Sequence, residues 1–282
     1  MRVFQTGAWG STRPGYNAPA MAARPRIVSL APSATSILWA IGAGRKVVGV
    51  SKWCAEVAPV GRLPRVGDCW AADVTPVSRL RPTLLVGSVP FKPETMARLL
   101  EIGAPLVAMN PRSLADIYSD IELLGRITGH SAAARRVAGK MRNDLRAAAA
   151  SGRRRASARL RGDEKPRVYC EAWPNPRISS PPWVAELIVL AGGTPAVPAG
   201  QRVTDAQVAE ARPDVIILAW TATGSKADAR RALENPAWRD VPAVRDRRVF
   251  VISDELLNTP SPILVRGARE LAGAIRAARK QS

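Results

Sequence analysis

Short apolar runs alternate with amphipathic segments along the chain from Arg26 onward. The run RIVSLAP predicts a buried strand, and Ser33 is placed to cap a following helix whose apolar positions recur at helical spacing. The run VVGV at 47–50 predicts the next strand, and the order strand, helix, strand implies parallel pairing. The alternation continues through TLLVG at 83–87, a helix over 93–102 and PLVAM at 105–109. These patterns predict an α/β lobe over residues 26–130.

The second half of the chain repeats patterns of the first half. RIV at 26–28 recurs as RVY at 167–169, and each begins a strand that leads into a proline-containing loop, a helix and a glycine stop. VSRLRPTLLVG likewise matches VAEARPDVIILAW, with an Arg-Pro pair between a helix end and a buried strand, at Arg81 and Arg212. The echo predicts a second lobe of like topology over residues 166–282.

The region between the two lobes predicts two helices. The first has its apolar residues on one face of SLADIYSDIELLGRITG. The second begins at Ser131 and runs to about Ala150, with an apolar stripe at Val137, Met141, Leu145 and Ala149. At 1.5 Å per residue this helix would span roughly 30 Å, about the width of one domain. We therefore predict that residues 131–165 form a linking helix and a basic loop.

The chain is strongly basic, and half of its charge is local. Its 42 Lys and Arg against 23 Asp and Glu give a net charge of +19 over 282 residues. Residues 135–167, which include the segment RRRASARLR, hold twelve Lys or Arg against three acids, or 12 − 3 = +9. Such a run is more often a solvated helix face than a nucleic-acid site. Nucleic-acid binding is therefore the least favoured alternative, and we expect no nucleic-acid partner.

The N-terminal 25 residues are rich in Gly, Pro, Ala, Ser and Thr without periodicity, which predicts a flexible segment. They lack the continuous apolar core of a secretory signal, and no apolar run elsewhere reaches the length of a membrane span. As written, the sequence therefore predicts a cytoplasmic protein.

Residue types needed for catalysis or metal binding are scarce. The chain has one histidine, His130, and three cysteines, Cys54, Cys69 and Cys170, so a zinc site with several His and Cys ligands cannot be assembled. No G-x-S-x-G or H-E-x-x-H motif occurs. We therefore predict a binding protein without catalytic residues, a metal site or a cofactor. A disulfide between Cys54 and Cys69 is conceivable, but free thiols are favoured because the chain shows no export signal.

Tryptophans stand where open α/β sheets bind ligands. Trp53, Trp173 and Trp220 each follow a predicted strand, and Trp70 lies in the loop after the second strand. Trp39 and Trp183 fall within predicted helices and are expected in the core. Together the four loop tryptophans would form a broad, flat apolar wall that suits a large planar or macrocyclic ligand. The predicted ligand-binding residues are Trp53, Trp70, Trp173, Trp220, Pro32 and Ser51.

The strings RIVSLAPSATSILWAIGAGRKVVGVSKWC, LPRVGDCW, RPTLLVG, LADIYSDIELLGRITG, ELIVLAGG and RPDVIILA together resemble one protein family. The family is that of the substrate-binding proteins of cobalamin and iron-siderophore ABC importers, and the likeness is greatest to its cobalamin-binding receptors. It implies two doubly wound α/β lobes joined by a single long backbone helix, with the ligand cleft between the lobes. In the cobalamin members, the positions matching Trp53 and Trp70 face the corrin. The loop EAWPNPRISSPP, which carries Trp173, resembles the ligand-facing loop of the second lobe.

The resemblance implies a monomer that captures cobalamin or a related corrinoid for an ABC permease. It also implies a place outside the cytoplasm if the natural N-terminus differs from the one written. Asp73 and Glu255 are the nearest matches to the acidic residues with which the family docks onto its permease. A ferric siderophore or haem is an alternative ligand, because Lys52, Arg65 and Arg177 could pair with an anionic siderophore. A cytosolic corrinoid-handling protein is a further alternative.

Overall fold

The computed structural model describes residues 25–154 and 165–280, which form two lobes, each built on its own sheet. The strands of the first sheet are β1 (Ile27–Ser29), β2 (Val47–Ser51), β3 (Arg65–Val66), β4 (Leu84–Ser88) and β5 (Leu106–Met109). They pair in parallel in the order β3-β2-β1-β4-β5. The helices of this half are α1 (Pro32–Ala40), α2 (Val74–Arg79), α3 (Pro93–Leu100), α4 (Leu114–Ile127) and α5 (Ser131–Arg154). The predicted parallel α/β lobe is confirmed.

Helix α1 begins two residues earlier than the capping pattern predicted. Pro32 is its first residue and Ala31 its N-cap, without a side-chain cap, whereas Ser33 lies inside the first turn and is buried. The prediction of Ser33 as N-cap was therefore wrong. Proline is favoured at the first helical position because its fixed φ suits the helix and its missing N–H would have no partner there.

The second sheet contains β6 (Arg167–Pro174), β7 (Arg177–Ser179), β8 (Thr194–Pro195), β9 (Val215–Leu218) and β10 (Val249–Val251). Its main path is β10-β9-β6-β7, and β8 also pairs with β6. Its helices are α6 (Pro182–Leu190), α7 (Asp205–Ala211), α8 (Arg230–Leu233), α9 (Pro242–Arg245), α10 (Asp254–Leu257) and α11 (Leu264–Lys280). The pairing is parallel except between β6 and β7, which form an antiparallel hairpin. EAWPNPRISSPP therefore contains a hairpin where the sequence predicted only a loop.

The internal echo extends to the backbone conformation of its Arg-Pro pairs. Arg81 and Arg212 have φ of 45° and 42°, and each ends a helix just before a strand. A residue before proline is disfavoured in the right-handed helical region, so each helix stops at this point. The two arginines adopt the left-handed conformation and turn the chain toward β4 and β9. The predicted likeness of the two halves is confirmed at this turn.

Helix α5 forms as predicted but buries a slightly different stripe. Its buried residues include Ala134, Ala138, Met141, Leu145 and Ala148. Val137 is only partly buried, and the side chain of Ala149 lies outside the described part of the structure. A strict four-residue repeat advances about 40° around a helix at each step, so alternating steps of three and four keep one face toward the core. Met141 and Leu145 are thus confirmed in the buried stripe, Val137 lies at its edge, and Ala149 stays a prediction.

Helix α5 contacts both lobes. It packs against α4 of the first lobe and against α6 and α11 of the second. One apolar cluster runs from the first lobe through α5 to the inner helices of the second, and a smaller cluster surrounds Tyr169 and Trp238. Most of the predicted N-terminal segment and of RRRASARLR lies outside the described residues. Within 25–154 and 165–280, no helix is both long enough and apolar enough to cross a bilayer.

Candidate functional site

A cleft opens between the two lobes at the carboxyl ends of their strands. It encloses about 200 Å³, or about 820 Å³ when the space at its open mouth is included. The first lobe contributes residues that follow β1 and β2 and the end of β4. The second lobe contributes Thr221 and Ala222 after β9 and the segment 254–260 after β10. This position agrees with the general rule for ligand sites in open α/β sheets.

Trp53 and Trp70 line one wall of the cleft, and a single carboxylate binds the indole of Trp53 and the backbone of Trp70. Trp53 lies in the 3-10 turn Lys52–Glu56 after β2, and its indole Nε1 donates to Asp68 Oδ2 at 3.1 Å. The backbone amides of Trp70 and Ala71 donate to Asp68 Oδ1 at 3.0 Å. Trp70 is 57% exposed, which leaves its indole open at the mouth of the cleft. Pro32 also lines the cleft, as predicted.

Three of the predicted site residues do not line the cleft. Ser51 is fully buried and contacts Cys54 Sγ at 3.2 Å, because it ends a strand inside the sheet. Trp173 is 40% exposed, but β6 continues through Pro174, so this tryptophan pairs with Ile178 of the hairpin. Trp220 is buried and faces the protein interior. The structure therefore brings together Trp53, Trp70 and Pro32 and leaves the other three elsewhere.

Trp220 donates a hydrogen bond to a buried carboxylate in the second lobe. Glu171 is fully buried and accepts hydrogen bonds from Trp220 Nε1 at 2.8 Å, Tyr169 Oη at 2.7 Å and Arg177 Nη1 at 2.8 Å. A buried carboxylate needs donors and a counter-charge, and these three side chains supply them. Burial, followed by the neighbouring Glu171 charge, raises the pKa of Tyr169 above its ordinary value. Trp220 and Arg177 are thus committed to this network.

Acidic side chains are the charged groups of the cleft. Its charged lining residues are Glu56, Asp68, Asp254 and Glu255, and the lining contains no lysine, arginine or histidine from residues 25–154 and 165–280. Partial desolvation, followed by the charges of Asp254 and Glu255, raises the pKa of Glu56. Across the described residues, no group of three or more His, Cys, Asp or Glu is arranged to hold a metal ion. A ligand that donates hydrogen bonds fits this surface better than an anion does.

The basic residues that favoured a siderophore lie outside the cleft lining. Lys52 stands over the Trp53 ring, with its Nζ 4.5 Å from the ring centroid. Arg65 is bonded to the carbonyls of Leu63 and Gly61. Arg177 is engaged by Glu171 and Asp205.

Cys54 and Cys69 are buried, free and separately bonded. The thiol of Cys69 lines the cleft and donates to the carbonyl of Leu30 at 3.7 Å. Burial raises the pKa of Cys69 to about 11. Cys54 Sγ accepts from Thr35 Oγ1 at 2.9 Å. Both sulfurs are therefore protonated near neutral pH.

The sequence analysis missed the second-lobe wall of the cleft. This wall includes Asp254, Glu255, Asn258, Thr259 and Pro260, which follow β10. The run VFV at 249–251 carried the signal, because it is a short apolar strand followed by the polar segment SDELLN. Applying the strand-end rule to this run would have placed a ligand-binding segment there.

Comparisons with known proteins agree with this architecture. A family model described as periplasmic binding protein matches residues 27–256. YvrC of Bacillus subtilis (strain 168), an uncharacterized ABC transporter substrate-binding lipoprotein, is 28% identical over 260 residues, covering 89% of this chain and 79% of its own. The vitamin B12-binding protein of Vibrio cholerae serotype O1 is 27% identical over 277 residues, covering 93% of this chain and 95% of its own. The solved apo structure of the periplasmic heme-binding protein RhuT from Roseiflexus sp. RS-1 matches with a TM-score of 0.76 and 25% identity, over 91% of this chain and 100% of that chain.

The family match spans both lobes and the cleft-lining segments up to residue 256. It covers the parallel first sheet, helix α5 and the second sheet. The chain therefore belongs to the periplasmic binding protein family.

Proposed function

We propose that this protein binds cobalamin or a related corrinoid in the cleft and passes it to an ABC permease. The observation that carries this proposal is a cleft wall made by Trp53 and Trp70. The described residues that line the cleft include no basic side chain. A corrinoid presents a large, nearly planar macrocycle with neutral amide groups at its edge. The indoles supply apolar area for the macrocycle, and the carboxylates supply acceptors for the amide N–H groups.

The size of the cleft is consistent with a ligand held at its mouth. Ligand pockets commonly enclose about 300 to 1,000 Å³, and the enclosed part of this cleft is only about 200 Å³. A macrocycle would therefore stand in the open mouth, against the exposed ring of Trp70. The rigid lobes would hold it from both sides.

Haem is the second candidate, because a solved structure with the same fold is named a heme-binding protein. Protein ligands of haem iron are His, Cys, Met or Tyr side chains. Of these types, only Cys69 lines the cleft within the described part of the chain, and its thiol is buried and protonated. An anionic siderophore would lack basic partners. The side chains in the cleft favour a corrinoid over both.

The test is to incubate the protein separately with cobalamin, haem and a ferric siderophore, remove free ligand by gel filtration and record the visible spectrum. We expect the cobalamin spectrum to stay with the protein at a stoichiometry near one. Retention of haem or siderophore with loss of cobalamin would replace the proposed ligand. Retention of none of the three would overturn the proposal.

The proposed permease partner has a separate test. The name of the YvrC relative includes an ABC transporter, which supports such a partner here. Asp73 is exposed and caps α2 through Thr75, whereas Glu255 is partly buried in the cleft. We therefore favour Asp73 as the docking acid and propose an extracytoplasmic site of action. Ligand-loaded protein should stimulate the ATPase of its reconstituted permease, and Asp73→Asn should weaken that stimulation.

A further inference from the structure

Among the residues that the structure describes, two buried polar groups of cleft-lining residues have no hydrogen-bond partner. Ser88 ends β4, is 1% exposed, and its hydroxyl is unpaired. Asn258 follows α10 on the opposite lobe, and its Nδ2 donates to the carbonyl of Ala219 at 2.7 Å and to Thr221 Oγ1 at 3.3 Å. The carbonyl oxygen of the same Asn258 side chain is buried and unpaired. Each lobe thus contributes one unsatisfied polar group.

Unsatisfied buried polar groups are rare because they lose hydrogen bonds to water without gaining others. At a binding cleft, a ligand can supply the missing partner. The Ser88 hydroxyl can donate or accept, and rotation about its Cα–Cβ bond changes its direction. The Asn258 oxygen can only accept, so its partner must be a donor.

The cleft carboxylates disfavour an anionic ligand. Glu56, Asp68, Asp254 and Glu255 accept hydrogen bonds when ionised and repel a second negative charge. A primary amide offers both N–H donors and a carbonyl acceptor, so it can satisfy Asn258 and Ser88 as well as a carboxylate. A free carboxylate on the ligand offers no donor and adds negative charge.

We propose that Ser88 and Asn258 are specificity-determining residues that hydrogen-bond amide groups of the ligand, so that the cleft selects corrinoids with amidated side chains over corrinoids with free carboxylates. This inference rests on the proposed function and defines the substrate class within it. Trp53 and Trp70 would pack against the macrocycle, and Ser88 and Asn258 would hydrogen-bond to the amide groups at its edge.

The test compares two corrinoids that share one ring. Cobinamide carries amides at the ring edge, and cobyrinic acid carries carboxylates at the corresponding positions. We expect isothermal titration at pH 7 to show cobinamide binding at least about tenfold more tightly than cobyrinic acid. The variant Glu56→Gln should strengthen the binding of cobyrinic acid by about threefold or more and change that of cobinamide less.

The variant Ser88→Ala tests the hydrogen bond itself. The hydroxyl is unpaired in the free protein, so its removal should leave the thermal midpoint unchanged or higher. Affinity for cobinamide should fall by about 3- to 10-fold. Ser180→Ala is the matched control, because Ser180 is also buried but donates to Cys170 Sγ at 2.8 Å and does not line the cleft. It should lower the midpoint and leave the affinity unchanged.

The outcomes separate this inference from the function on which it rests. Equal affinity for cobinamide and cobyrinic acid, or an unchanged affinity in Ser88→Ala, overturns the inference while cobalamin binding by the wild type stands. If the wild type does not bind cobalamin at all, the proposed function is overturned and the inference with it.

Discussion

Asp68 holds the indole of Trp53 and the backbone of Trp70 in the cleft wall. One of its oxygens accepts from the indole of Trp53, and the other accepts from the backbone amides of Trp70 and Ala71. The preceding Gly67 allows this tight loop, because a Cβ atom there would lie 2.4 Å from the carbonyl oxygen of Ala71. The single carboxylate thus positions an aromatic wall before a ligand arrives, which lowers the ordering cost of binding.

At this scale we predict that Trp70→Ala weakens cobalamin binding by about 10- to 100-fold. An aromatic side chain buries on the order of 150 Å² or more, so at about 25 cal/mol per Å² it contributes a few kcal/mol, less the cost of ordering. Because Trp70 is 57% exposed, the midpoint of thermal unfolding should change little. Tryptophan quenching during a cobalamin titration measures the affinity.

Trp173→Ala is the matched control for this prediction. Trp173 is also exposed, at 40%, but it does not line the cleft. We expect wild-type affinity in this variant. A loss of affinity as large as that of Trp70→Ala would show that the hairpin of β6 and β7 contacts the ligand after all.

We also predict three free thiols per chain, all of them slow to react in the folded protein. Burial raises the pKa of Cys54, that of Cys69 to about 11 and that of Cys170 to about 12, so little thiolate forms near pH 8. Titration with a thiol reagent should return three groups in unfolded, unreduced protein and almost none at once in native protein. A count of one after unfolding would show a disulfide.

At the scale of one element, helix α4 holds two aspartates with opposite effects on stability. Asp116 in its first turn accepts from the backbone N–H of Arg112 at 2.8 Å, and this bond lowers the pKa of the carboxyl. Burial, followed by the Asp116 charge, raises the pKa of Asp120 to about 6. Ionised Asp116 therefore stabilises the folded helix, and ionised Asp120 destabilises it.

We predict that Asp120→Asn raises the free energy of unfolding at pH 7 by about 1 kcal/mol, a figure discounted for partial solvent exposure. Above about pH 6, Asp120 is ionised in the folded protein, and its burial lowers the free energy of unfolding of the wild type. This loss of stability disappears as the pH falls from about 6 toward 3.8. The gain from the substitution should therefore vanish at about pH 4. Urea unfolding at several pH values measures it.

Asp116→Asn on the same helix should have the opposite sign. Its carboxylate contributes stability above pH 3.8, and that contribution is lost as the pH falls through the lowered pKa of the folded state. The variant should be less stable than the wild type at pH 7. Equal shifts of the same sign in both variants would contradict this assignment.

At the scale of the whole molecule, the two lobes are fastened together at several points. Helix α5 packs against helices of both lobes. The buried hydroxyl of Ser261 donates to that of Ser36 at 3.0 Å, and the backbone N–H of Leu114 donates to Glu186 of the other lobe at 3.2 Å. A packed helix and cross-lobe hydrogen bonds resist the hinge bending that extended connections permit.

We therefore predict that the lobes move little when cobalamin binds. Small-angle scattering profiles recorded with and without saturating cobalamin should nearly superimpose. A marked decrease in the radius of gyration on binding would refute the prediction of a rigid frame.

The sequence by itself determined the two-lobe α/β architecture, helix α5 and one wall of the cleft. Strand and helix periodicity are local properties of the sequence. Trp53 directly follows the strand VVGV and Trp70 lies in the next loop, so their positions could be predicted from the local pattern. The same reasoning did not put Trp173 and Trp220 in the cleft lining. Strand β6 continues past Trp173 to Pro174, and Trp220 turns inward to Glu171. Val137 packs against the core but is only partly buried, because its burial depends on which neighbours the helix meets.

Only the tertiary structure decided the partners of these side chains. Trp220 and Arg177 turn toward buried Glu171 and donate hydrogen bonds to it, because an unpaired carboxylate in a core is costly. Asp68 and Asn258, far apart in the chain, come to one cleft only when the lobes pack on α5. Likewise, the acidic character of the cleft in a chain of net charge +19 follows from which side chains the fold places together. Charge along a sequence adds up without regard to position, whereas a binding site responds to the groups within a few ångströms.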